Sequence, residues 1–162
     1  MKILDMCCGS KMFWYEKHEP HTTYMDIRKA TYTAKDRDKV RKIEVNPDIQ
    51  ADWKNIPFDD ATFDLIIFDP PHLMHAGKRS WLAKKYGVLD DSEGLLDIKL
   101  GFREAMRVLK PTGTLLFKWN QDQIPFRLVL ATIAVDGYKP ILGDKRSKTR
   151  WSVFIKSEKT GL

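Results

Sequence analysis

The chain has 162 residues, 43% of them hydrophobic and 31% charged, which suits one hydrophobic core and a single domain over residues 1–162. No apolar run approaches the roughly 18 residues needed to cross a bilayer. Met1-Lys2-Ile3-Leu4-Asp5 meets an acidic residue too early for a secretory signal, so a cytoplasmic protein without a membrane anchor is expected. The only cysteines, Cys7 and Cys8, are adjacent, which excludes a disulfide scaffold and a zinc finger. The formal net charge is +6, and the segments 27–47, 76–86 and 139–150 each carry a net +4. Such clustering is the footprint of a polyanion partner, or of ordinary solvated loops.

Short apolar runs alternate with longer amphipathic ones, the pattern of a parallel sheet flanked by helices. In chain order, a strand is expected over Lys2 to Cys7, a helix from about Lys11 to His18, and a strand over Thr22 to Met25 closed by Asp26. Residues 27–47 are too charged to bury much, and Asn46-Pro47 turns the chain into a short strand over Asp48 to Asp52. Phe63 to Phe68 is the clearest buried strand, ended by Asp69-Pro70-Pro71 because consecutive prolines donate no ladder hydrogen bonds.

Apolar residues at helical spacing predict a helix over Leu95 to Leu109, stopped at Lys110-Pro111-Thr112-Gly113. Thr114 to Trp119 reads as a fifth strand and Pro125 to Val135 as a further helix. Lys139 to Leu142 and Trp151 to Ile155 should pair as a terminal hairpin. The expected fold is α/β, doubly wound, with a mostly parallel seven-stranded sheet, an antiparallel last strand and no separate target-recognition domain.

In an open parallel sheet, ligands bind at the carboxyl ends of the strands. Asp5, Asp26, Asp52 and Asp69 sit at or near four of those ends. Each alone suits a helix cap or an Asx turn, but four carboxylates facing one edge need donors, and a nucleoside supplies them through its ribose hydroxyls and exocyclic amine. Asp26 lies 17 residues past Gly9, near the spacing of a ribose-binding acid, although the G-x-G-x-x-G dinucleotide fingerprint is absent.

Ile3-Leu4-Asp5-Met6-Cys7-Cys8-Gly9-Ser10 resembles the first motif of class I S-adenosylmethionine-dependent methyltransferases. Phe58 to Asp64 and Arg107 to Thr114 are similar to later stretches of that family, and the likeness runs from residue 2 to about 156. The resemblance implies S-adenosylmethionine as cofactor, held by Asp5, Met6, Cys7, Cys8 and Gly9, by Asp26 with Ile27 at the ribose, by Asp52 with Trp53 near the adenine, and by Asp69. Cys7 and Lys11 flank Gly9 where the family often has glycine. The two cysteines suit packed residues better than nucleophiles.

Asp69-Pro70-Pro71-His72 is similar to the Asp-Pro-Pro-aromatic motif of amino-methyltransferases, including small phage and prophage proteins taken to be DNA methylases. A conjugated exocyclic amine is a poor nucleophile, so the site must accept its hydrogen bonds as the nitrogen becomes tetrahedral. The Asp69 carboxylate and Pro70 carbonyl suit that role, Pro71 stiffens the turn, and the His72 ring suits stacking. Taken alone, the tripeptide also suits an ordinary strand-ending turn. His72 and His75 lack a neighbouring carboxylate or cysteine, so no metal is expected.

The basic segments should emerge around this edge, with Lys145, Arg146, Lys148 and Arg150 tracking phosphates and Trp81 offering a stacking surface. Trp81 suits core packing equally, and Trp151 suits it better. The expected activity is methyl transfer to a base amine in nucleic acid, DNA adenine N6 first and RNA second. A protein amide or small-molecule substrate, or a non-catalytic cofactor-binding module, fits the same fold.

Overall fold

A computed structural model describes residues 1–36, 38–77, 80–89 and 92–156. Its strands are β1 (Ile3–Asp5), β2 (Thr22–Asp26), β3 (Ala30–Asp36), β4 (Lys39–Val45), β5 (Ile49–Gln50), β6 (Phe63–Phe68), β7 (Leu109–Asn120), β8 (Leu142–Gly143) and β9 (Thr149–Ile155). The helices are α1 (Trp81–Tyr86), α2 (Gly94–Val108) and α3 (Phe126–Ala134). Seven strands form one sheet in the order β5-β2-β1-β6-β7-β9-β8, parallel except that β9 runs antiparallel to both its neighbours. The chain winds outward from β1 in one direction and from β6 in the other, so the strand order reverses between them. This is the expected mostly parallel, doubly wound α/β sheet.

Cross-strand register sorts the side chains. Leu4, Ile66, Leu115 and Phe154 align on one face, where they join the core with Phe102, Ala105, Val129 and Ile133 from α2 and α3. Phe117 is the hub, its ring 4.9 to 6.4 Å from those of Phe68, Phe102, Trp119, Phe126 and Phe154. At Gly101 of α2 an added Cβ would lie 2.7 Å from Phe68 Cζ and 3.2 Å from Trp53 Cδ1. The helix can approach β6 this closely only without a side chain there.

The helix expected over Lys11 to His18 is absent. Residues 6–21 cross the opposite face as a chain of turns, pinned by aromatic side chains. Trp14 Nε1 donates to Asp5 Oδ2 at 2.8 Å, the Trp14 ring meets Tyr24 edge-on, and Lys11 Nζ sits 3.8 Å over the Tyr24 ring. Lys11 itself has φ 55°, a left-handed conformation incompatible with a helix start.

The β5–β6 connection also lacks a helix. Arg107 of α2 ties it down by donating to the carbonyls of Ile56 and Phe58, both at 2.8 Å, and Glu104 accepts the Ile56 N–H at 2.9 Å. The stretch 27–47, expected to bury little, contains β3 and β4, an antiparallel ribbon outside the main sheet in which Ile43 and Val45 are buried. The strand expected from Thr114 begins at Leu109, directly after α2.

Truncating the hub of the core should be costly: Phe117→Ala is expected to destabilise the fold by about 3 to 5 kcal/mol, read as a lowered midpoint in urea denaturation.

Candidate active site

The carboxyl edge of the sheet opens into two adjoining cavities of about 550 and 320 Å³. Asp5, Asp69, Pro70 and His72 line the larger one, and Asp26, Ile27, Asp52 and Trp53 the smaller. Cys7, Arg28 and Tyr86 belong to both walls. The sequence-predicted residues therefore converge, with exceptions. Met6 is buried in the helix-side core and lines neither cavity, because the alternation that leaves Asp5 at the site turns its neighbour away.

Burial and charge set the protonation of this edge. Asp5 is 2% exposed, and desolvation, opposed by the Trp14 and Cys7 N–H groups and reinforced by Asp69 and Asp26, pushes its pKa up to about 7. Burial also raises Asp69, with Lys118 pulling the other way. Lys118 Nζ lies 2.6 Å from Asp69 Oδ2. His72 is lowered, first by burial, which favours a neutral imidazole, and its ring lies 5.4 Å from that of Tyr86. Burial raises both thiols, in keeping with packed rather than nucleophilic cysteines.

Asp26 is 3% exposed and accepts four donors. The Gly9 N–H donates to Oδ2 at 2.8 Å, the Arg28 N–H and Nε to Oδ1 at 2.9 and 3.1 Å, and Arg28 Nη2 to Oδ2 at 3.3 Å. Gly9 reaches this position with φ 51°, the left-handed conformation that glycine takes without penalty. The Asp26 contact thus fastens the first loop to the end of β2. A ribose diol can bind this carboxylate only in place of the Arg28 side chain.

The smaller cavity otherwise fits a nucleoside. Asp52 is partly exposed at its rim, apolar walls come from Val88 and Leu89, and the Trp53 indole N–H is buried without a partner among the described residues. Pro71 and Gly87 meet at this wall. Gly87 has φ 79°, and a Cβ there would stand 3.0 Å from Pro71 Cγ.

Of the predicted substrate contacts, Lys145, Arg146 and Lys148 are exposed on the β8–β9 loop, which the Gln121 N–H ties to the end of β7 through the Lys148 carbonyl at 3.0 Å. Neither they nor Arg150 line either of these two cavities. Lys148 pairs with Asp122 at 3.2 Å, and Arg150 Nε is buried without a partner among the described residues. Lys78 and Arg79 lie outside the described residues. Trp81 packs against Ile43 and Val45. Trp151, expected in the core, instead lines the larger cavity, 36% exposed and 4.8 Å from the Phe13 ring.

Sequence reasoning missed Arg28, Lys118, Phe13 and Tyr86. Lys118 did leave a signal, a lone cation in the otherwise apolar strand Thr114 to Trp119.

The Asp5 shift has a pH consequence. Its folded pKa, about 7, lies above the ordinary aspartate value of 3.8, so the folded chain binds more protons between those values and stability falls as pH rises through that window. An Asp5→Asn variant lacks this loss and keeps an oxygen for Trp14. Relative to the wild type it should gain stability from pH 4 to pH 8, by up to about 4 kcal/mol, measured by urea denaturation at both pH values.

No family model matches the chain, and no curated protein matches it by sequence. Solved structures do match. A SAM-dependent methyltransferase from Methanosarcina mazei superposes with a TM-score of 0.62 at 11% identity, over 97% of this chain and 93% of that one. The PH0226 protein from Pyrococcus horikoshii OT3 gives 0.60 at 18% identity, over 95% and 81%. The N-methyltransferase NodS from Bradyrhizobium japonicum WM9 gives 0.58 at 14%, over 97% and 86%. The chain has the Rossmann-like fold shared by these structures.

Proposed function

We propose that this protein transfers the methyl group of S-adenosylmethionine to an exocyclic amine of a nucleic-acid base, with N6 of adenine in DNA as the first candidate. The observation that carries this reading is the placement of Asp69 and Pro70 in the larger cavity, directly beside a second cavity suited to a nucleoside. The fold neighbours support the cofactor, since several are SAM-dependent methyltransferases and NodS is also known in complex with S-adenosyl-L-homocysteine.

S-adenosylmethionine, when bound, supplies an electrophilic methyl group on a positively charged sulfur. Asp26, Ile27, Asp52 and Trp53 would hold its nucleoside, and the first loop from Cys7 to Gly9 would run beside it. The remaining chemistry belongs to the chain. Asp69 gives Oδ2 to Lys118 and keeps Oδ1 to accept an amine N–H, which holds the nitrogen in line as it becomes tetrahedral. Pro70 and Pro71 fix that carboxylate by ending β6 without donors. Phe13, Trp151 and Tyr86 wall the cavity with rings, an environment that excludes water and suits a flat base. The raised Asp69 pKa also suits the carboxylate to take the proton that the methylated amine sheds.

Asp69→Ala should lower turnover by about 100- to 1,000-fold while leaving cofactor affinity by calorimetry near that of the wild type, and Asp69→Asn should retain more activity because its amide oxygen still accepts. The substrate itself is read by mass spectrometry of nucleosides from DNA and RNA incubated with protein and labelled donor. Labelled N6-methyladenine from DNA supports the reading; label confined to a protein or small molecule overturns it.

A further inference from the structure

Between β2 and β5, where a parallel crossover usually runs through a helix, the chain builds the β3–β4 ribbon. Paired residues share a face, so Tyr32, Ile43 and Val45 fall on one side and Thr31, Thr33, Lys35, Val40, Lys42 and Glu44 on the other. The first side closes over Trp81 of α1, with Arg41 5.6 Å and Lys85 5.7 Å from the Trp81 ring. Lys84 Nζ adds a hydrogen bond to the Thr33 carbonyl at 3.0 Å. Ribbon and helix thus make one small unit with its own core. The helix of that unit presents Leu82, Lys85 and Tyr86 to the larger cavity.

The outer side of the ribbon is solvated and cationic. Lys35 and Lys42 are exposed on it, Lys39 is exposed at the ribbon's end on the other face, and Glu44 is matched by Lys42 at 3.4 Å. Residues 27–47 hold seven basic and three acidic side chains, and α1 adds Lys84 and Lys85. Seven residues in each strand extend the ribbon by about 23 Å. A two-stranded ribbon of this kind is narrow enough for the major groove of a duplex.

We propose that the β3–β4 ribbon is an arm that holds the phosphate backbone of nucleic acid beside the catalytic cavity, with α1 as the rigid joint between arm and cavity wall. The inference rests on the base-amine reading and adds to it a docking surface built within the methyltransferase sheet's own crossover. Backbone contacts of this sort position a substrate without reading its sequence, so the arm should contribute salt-sensitive affinity to any nucleic acid the cavity accepts.

The test is anisotropy of labelled duplex DNA and of labelled single-stranded RNA over a salt series, with the wild type and a Lys35→Ala, Lys39→Ala, Lys42→Ala triple variant. Three lost phosphate contacts should flatten the slope of log affinity against log salt by about 2 to 2.7 units, while thermal melting stays near the wild-type value because the three side chains are exposed. The single variants Lys35→Ala and Lys42→Ala should each remove about 0.7 to 0.9 units. Flattening on duplex alone points to groove docking, and flattening on both to strand tracking; either supports the arm. An unchanged slope overturns it, most clearly if Lys145→Ala with Arg146→Ala flattens the slope instead. So does wild-type binding that ignores salt. The base-amine reading fails separately, through nucleoside mass spectrometry without a labelled base.

Discussion

Three carboxylates, Asp5, Asp26 and Asp69, meet at one end of a parallel sheet, the first two buried, and the other two add to the burial that raises the proton affinity of Asp5. In a medium of low polarity that arrangement stands only if each negative charge is matched or neutralised. The chain meets the requirement three different ways. Trp14 donates to Asp5, which is also easily protonated; the Gly9 amide and Arg28 surround Asp26; Lys118 pairs with Asp69. The irregular segment after β1, the turn after β2 and the cation within β7 are each held by one of these carboxylates.

The same requirement explains the lopsided cover of the sheet. Helices α2 and α3 bury one face with large apolar side chains, as a doubly wound sheet commonly does. The other face carries Asp5, Tyr24 and Lys118 among its apolar residues, and a uniform apolar helix stripe would leave them without partners. Turns carrying Phe13, Trp14 and Lys11 satisfy them instead, through an indole N–H and two cation–ring contacts.

Long-range order was legible in the sequence because it depends on pattern. The near-continuous apolar run Phe63 to Phe68, the helical spacing from Leu95, and the acidic residues closing successive strands each survive in the structure with boundaries shifted by only a few residues. The convergence of Asp26, Asp52 and Asp69 on adjoining cavities was legible for the same reason, since strand order alone brings those ends together. What escaped depends on single contacts across the fold. Nothing local marks Trp14 as a partner of Asp5. Net charge concealed the ribbon, although Ile43 and Val45 alternate with Lys42 and Glu44 in strand fashion. Trp151 reads as a core residue by type and stands at a cavity wall because the register pairs it with Lys118, on the face of the sheet that carries Asp5.

Arg28 has a place in this arrangement beyond neutralising Asp26. Its Nη1 donates to the Lys84 carbonyl at 3.1 Å, so one guanidinium joins the end of β2 to the helix that carries the ribbon. Any ligand that claims the Asp26 oxygens displaces Arg28 and removes a tether from α1; any ligand that pulls on the ribbon loads the same tether from the other end. Two sites joined through one movable side chain exchange free energy in both directions. On the proposed reading, occupancy of the smaller cavity and engagement of the ribbon would therefore be thermodynamically linked, and the order in which two ligands arrive would become a property that position 28 can set.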